Sequence, residues 1–262
     1  MALGSWSAAD DPTVHGSLRL RCEALLAYGE RAAAAGGVRV TPTALVARCL
    51  AQALREVPDC NAILRGGRIY LRQDVTLFVH VALTDPRSGR LDLSGVTLHH
   101  ADRATVIGLA RRLDGGVREV RGGQGAVART RELFRWLPQP LVGPLLTGLS
   151  FVTHTLNLDL SALGVPRDPF GGAALTNVGA LGLDTAYVPL VPYTRIPLFV
   201  AMGAVVDEPV VDGGAVVPAR VLPLHATFDH RLMDGAHLAR FVAVLRRCFA
   251  DPDAALGPAE AE

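Results

Sequence analysis

The chain has 262 residues, half of them hydrophobic and 19% charged, with a formal net charge of +1. A soluble chain of this length buries roughly 70–75% of its unfolded surface, enough for one large core or two small ones. The balance of 26 basic against 25 acidic residues makes no case for nucleic acid or an anionic membrane, and because every basic residue is arginine, lysine chemistry is excluded outright.

Met1 to Pro12 has neither a basic region nor an apolar stretch, so no signal peptide is visible; these residues are expected to be flexible and the protein cytoplasmic. From Ser17 to Ala35, Leu18, Cys22, Leu25, Leu26 and Ala33 recur at helical spacing until Gly36-Gly37 stops them. Thr41-Pro42-Thr43 marks a second helix start, and Pro58 ends that run. Residues 63–84 alternate and are rich in β-branched side chains, which predicts two strands around Arg72-Gln73-Asp74. Residues 101–135 are helical in character, with Gly115-Gly116 and Gly122-Gly123 as breaks. Residues 137–170 are apolar and proline-rich without a clean period and are read as a helical hairpin or lid, within an apolar insertion over 130–172. Strand-like runs return at 173–178, 197–206 and 215–228, before an amphipathic helix over 236–249. The resulting expectation is one α/β (α+β) domain over 13–252 and a flexible tail over 253–262. Four widely spaced cysteines without a CxxC pair, and scattered histidines, predict no metal and no disulfide framework.

The most informative segment is LPLHATFDHRLMDG, residues 222–235. On an extended strand Leu222, Leu224, Ala226, Phe228 and His230 share one face, so His230 closes a core-directed row. Asp234 falls near a helix N-terminus, where a carboxylate accepts backbone N–H groups, and Gly235 relaxes the turn. An imidazole with an ordinary pKa near 6.5 can serve there as a general base. His225 lies on the opposite side of the strand and reads as a surface or interface residue.

His230, Arg231, Asp234 and Gly235 in DHRLMDG resemble the active-site motif of the dihydrolipoamide acyltransferases of 2-oxo acid dehydrogenase complexes. LTNVGALG at 175–182 is similar to that family's TISNxGxxG, and REVPDCNAIL at 55–64 to its EVPxxNA. The resemblance implies a chloramphenicol acetyltransferase-like two-layer sandwich, a mixed sheet with helices on one face. It also implies His230 as general base, Thr176 as the hydroxyl that holds the oxyanion, and Asp234 as an electrostatic and shaping group. Asp229 and Arg231 flank the base and are read as structural. Asn177 is expected to bind substrate, and so is His154 in the apolar insertion. The family builds its site between subunits of a homotrimer, with acyl-coenzyme A and the acceptor entering from opposite ends.

Where the family has ITPVVRNAD this chain has LSGVTLHHAD at 93–102, which predicts a changed acceptor wall. The resemblance also starts almost at once, so no lipoyl domain is expected. These departures predict a stand-alone enzyme that moves an acetyl group from acetyl-CoA to a small-molecule hydroxyl, by analogy that of a tetronate intermediate in polyketide biosynthesis. The alternatives are a dihydrolipoyl acceptor on a separate protein, or a catalytically idle trimeric scaffold.

Overall fold

The computed structural model describes residues 11–84, 89, 91–122, 138–163, 165 and 168–261. The strands are β1 (Thr13–Arg21), β2 (Ala62–Arg65), β3 (Arg68–Leu71), β4 (Leu77–Thr84), β5 (Leu91–Leu98), β6 (Ala173–Asn177), β7 (Leu198–Met202), β8 (Val206–Asp212) and β9 (Ala215–Asp229). The helices are α1 (Glu23–Gly36), α2 (Pro42–Glu56), α3 (Val106–Arg121), α4 (Gln139–Ser150), α5 (Gly235–Ala250) and α6 (Pro252–Leu256). β1, β9, β7, β6, β4 and β5 lie side by side in that order, with β8 folded back on the first half of β9. The pairs β4–β6 and β6–β7 are parallel and the rest antiparallel, so the sheet is mixed.

Alternate residues of the strands divide this sheet into two faces. Leu77, Val79, Leu175, Leu198, Val200, Leu222, Leu224 and Phe228 are buried against α1, α2, α3 and α5 in one apolar core. α2 runs through its middle, with Ala44 to Ala51 buried without a break. Its start is the one the sequence predicts: the Thr41 hydroxyl accepts from the Ala44 N–H at 3.2 Å, and Pro42 opens the first turn. On the opposite face Phe78, Ala174, Ile196 and Phe199 form a smaller cluster, covered by Phe170, Val188 and Leu190 from irregular segments. α4 stands apart from the main helical layer and packs beside the 192–194 turn.

Several elements differ from the sequence expectation. The run from Ser17 is not one helix: β1 occupies 13–21 and α1 begins at Glu23, because Val14 to Leu20 are drawn into an antiparallel ladder with β9. Residues 62–84 hold three strands. Gly66 and Gly67, with φ of 51° and 76°, make a tight hairpin between β2 and β3 that costs glycine little. Gly115-Gly116 does not break α3. A Cβ on Gly116 would come within 2.4 Å of Val96 Cγ1, so the bare backbone lets the helix press onto β5.

Within the apolar insertion, the described residues form α4, which runs on as a π-turn over Phe151–Thr155, and a 3-10 turn over Ser161–Leu163; a second long arm of the expected hairpin is not among the described residues, and residues 130–137, 164, 166 and 167 lie outside them. The expected loose tail is folded through Ala261. Asp251 caps α6, the Tyr28 hydroxyl donates to the Gly257 carbonyl at 3.1 Å, and Ala259 is buried. All four cysteines are buried and free. Among the described residues no helix is long and apolar enough to cross a membrane.

Candidate active site

Where β9 ends, the chain turns within five residues into α5. Leu232 and Met233 N–H groups both donate to the Asp229 carbonyl at 3.0 Å, tightening the turn, and Met233 anchors it in the core. His230 sits at the start of that turn, half-buried, its backbone N–H donating to the Pro12 carbonyl at 2.9 Å. On either side of it, Asp229 and Arg231 form a forked ion pair, Nε to Oδ1 at 3.0 Å and Nη2 to Oδ2 at 2.7 Å. The hydrogen bond to Asp229 raises the Arg231 pKa further, against the opposing effect of its partial burial. With both charges spent on each other, the pair fixes the backbone around His230.

Asp234 is the N-cap of α5. Its Oδ1 accepts from the N–H groups of Ala236 at 2.9 Å and His237 at 3.0 Å, and the His237 bond chiefly lowers its pKa. His237, which the sequence reading passed over, completes the arrangement: its ring reaches back to the Asp234 carboxylate at 2.7 Å and lies 3.9 Å from Asp59. The available signal was its place three residues after a capping aspartate. Gly235 differs from expectation: its φ is not positive and its missing Cβ would meet open space, so the turn does not require glycine.

Thr176 lies on β6, on the face away from the helices. It pairs with Ala201 on β7, which pairs with His225 on β9, which pairs with Ser17 on β1. Thr176 and Leu175 are sequence neighbours with opposite fates: Leu175 is fully buried in the core, while Thr176 is half-exposed. Asn177 follows it as a fastener. Its Nδ2 donates to the Thr43 hydroxyl at 3.1 Å and its Oδ1 accepts from the Ala180 N–H at 3.0 Å, which ties the end of β6 to α2. Gly179 then passes so close to Ala204 that a Cβ would lie 2.3 Å from its nitrogen.

The register keeps Thr176 and His230 apart within one chain. Thr176 is level with His225, five residues short of His230, and two strands away from it. On an ideal flat sheet, with ~3.3 Å per residue and ~4.8 Å per strand, that offset corresponds to about 19 Å.

His154, expected at a substrate surface, is instead buried at 6% exposure. Its Nδ1 meets the Thr153 hydroxyl at 3.0 Å and its Nε2 lies 3.5 Å from Asp168. Asp168 also takes Arg72 Nε at 2.7 Å, and Arg72 binds the Ala62 and Arg195 carbonyls. Burial alone would raise the Asp168 pKa, but the His154 bond and the Arg72 charge overcome it and hold the carboxyl far below the usual range. The cluster fastens the π-turn to the β2–β3 hairpin and leaves His154 no open side. His225, read as a surface or interface residue, is buried within the chain itself: Nδ1 to Ser17 Oγ is 2.9 Å and Nε2 to the Asp184 carbonyl is 3.1 Å. Among the described residues there is no group of three or more His, Cys, Asp or Glu side chains placed to hold a metal.

Residues 170–257 match the family model for the catalytic domain of the 2-oxoacid dehydrogenase acyltransferases. This segment carries the signature of that family. It contains both Thr176 and His230. Across 83% of this chain, 27% of residues are identical to the dihydrolipoyllysine-residue acetyltransferase component of the acetoin cleaving system of Bacillus subtilis, covering 43% of that protein. Identity is 26% over 87% of the chain to the acetyltransferase component of the pyruvate dehydrogenase complex of Pseudomonas aeruginosa, covering 34% of it. The chain thus spans less than half the length of these relatives. The fold is that of acyltransferase cores: the cubic core of a pyruvate dehydrogenase multienzyme complex superposes with a TM-score of 0.67 at 20% identity, over 94% of this chain and 85% of that one. A dihydrolipoamide acetyltransferase from Listeria monocytogenes, described as probable, gives 0.66 at 16% identity, over 91% and 84%.

Proposed function

We propose that this chain transfers an acyl group between coenzyme A and the thiol of a dihydrolipoyl group carried by another protein. The observation that carries this reading is the pairing of the two chemical groups inside the matched segment with their separation along the sheet. Thr176 is level with His225, two strands from β9 and five residues short of His230, so we place the working site where a second copy brings one of them to the other, as in a homotrimer with three sites at its interfaces.

In this reading the His230 imidazole takes the proton of the acceptor thiol as general base. The sulfur attacks the thioester carbonyl carbon, and the Thr176 hydroxyl of a neighbouring copy donates to the oxyanion that forms. Collapse breaks the bond from carbon to the coenzyme A sulfur, and the imidazolium returns its proton to that thiolate. Asp234 and the Asp229–Arg231 pair hold the turn while this happens. Acetyl-CoA is the simplest donor, and the reaction needs no metal.

A second reading keeps the chemistry and replaces the thiol with the hydroxyl of a small molecule, such as a tetronate. It is favoured by LSGVTLHHAD at 93–102, where His99 lies 3.4 Å from the Thr76 hydroxyl and His100 pairs with Asp74 at 2.9 Å. The similar proteins favour the dihydrolipoyl acceptor. Following coenzyme A release from acetyl-CoA with dihydrolipoamide, and separately with a tetronate-type alcohol, separates the two. His230→Ala and Thr176→Ala should each be inactive, and co-refolding the two should restore about a quarter of the sites in a cyclic trimer. Absence of any complementation by two folded, inactive variants defeats the shared site.

A further inference from the structure

One step beyond the last paired residues of β4 and β6, Val79 and Leu175, stand His80 and Thr176. Phe78 and Ala174 pair two residues earlier and belong to the cluster on the face away from the helices, so His80 and Thr176 project from that same face on adjacent strands. His80 is held in place by aromatic rings: Phe78 meets it edge-on at 5.0 Å between centroids and Phe199 lies 5.2 Å away. Its neighbour on β5 is Gly95, and beyond Thr176 comes Ala201, so small residues flank the pair on both sides. The segment bearing Val188, Leu190 and Ile196 covers Ala174 and Phe199, while His80 and Thr176 stay partly exposed. Among the described residues the imidazole makes no hydrogen bond. An aromatic cleft needs no imidazole; phenylalanine would fill it better.

We infer that His80 is a second oxyanion donor, placing an N–H beside the Thr176 hydroxyl on the acyl oxygen of the substrate. Burial holds its pKa below the ordinary value of 6.5, so the ring is neutral near pH 7 and binds without adding a charge. Preorganised neutral donors of this kind act where charge develops. The inference rests on the acyl-transfer reading and adds a residue to its site.

The test uses the assembled full chain, acetyl-CoA and dihydrolipoamide, with the alcohol acceptor in parallel. His80→Phe keeps the ring packing and removes the N–H. It should lower kcat by about 10²-fold, leave KM for acetyl-CoA within about twofold, and keep or raise the melting temperature. His80→Asn, which retains an N–H donor, should recover part of that loss. A wild-type kcat in His80→Phe, or a change in KM alone, overturns the inference while Thr176→Ala remains inactive and the reaction itself stands. If His80→Phe fails to fold, a His80→Asn variant no more active than His80→Ala overturns it. Wild-type protein inactive toward both acceptors overturns the acyl-transfer reading together with this one.

Discussion

The two faces of the large sheet are made from alternate residues of the same strands, yet they serve different ends. On one, Leu77, Val79, Leu175, Val200 and Leu224 meet four helices in a closed apolar core. On the other stand His80, beside Phe78 and Phe199, then Thr176, and then His225 and Ser17, both beside Tyr187. A period of two lets a single strand such as β6 contribute to both, so in the proposed reading a stabilising residue and a reacting one are separated by one residue step. The adjacent pair Leu175 and Thr176 tests this directly.

Leu175→Ala should cost about 2–5 kcal/mol in urea unfolding, as for other fully buried leucines. Thr176→Ala should cost under about 1 kcal/mol of stability yet leave no more than about 10⁻² to 10⁻³ of kcat, the effect of removing one oxyanion donor, a level that counts as inactive in the complementation assay. Comparable stability losses from the two would break the division between the faces.

Asp168→Asn should be milder, about 1–3 kcal/mol, since the carboxylate is partly solvated and its Arg72 and His154 partners would lose a charged acceptor. Because its folded pKa is depressed, the stability that Asp168 contributes is fully present above the unfolded aspartate value of about 3.9 and is lost as pH falls toward the folded one. Wild-type protein should therefore lose stability steeply below about pH 4, and the asparagine variant less so; equal slopes in pH-dependent unfolding would refute this. His225→Leu removes a buried ring bonded to Ser17 and Asp184 and should cost about 1–2 kcal/mol. Ser17→Ala, at the exposed end of the same chain of bonds, should cost about 0.5–1 kcal/mol. A reversal of these last two in thermal unfolding would show that the outer hydroxyl, not the buried ring, organises that face.

Elements whose determinants are local were legible in the sequence. The cap and proline at Thr41-Pro42 located α2, the apolar stripe from Leu238 to Phe249 located α5, and the match of HRLMDG to a turn followed by a helix placed His230 and Asp234. β1 was hidden because its determinant is distant: Val14 to Leu20 alternate only as far as β9 makes them, and Leu18, Cys22 and Leu25 mimic a helical stripe across a strand–helix boundary. The Arg72–Asp168–His154 cluster was invisible for the same reason, since four separate segments meet there and none carries a local signal. His80 sat in plain view within an alternating strand. Its meaning depends on which strand lies beside it, and that is a matter of topology.

Thr13 pairs with Asp229 and Arg21 with Val221, so the first strand of the sheet joins the last. During synthesis from the amino end, β1 emerges long before its partner and must wait, unzipped, while some two hundred residues are added. Contacts of such span slow folding and leave a β edge open to other chains in the meantime. Nascent chains halted short of β9 should therefore be the ones that aggregate.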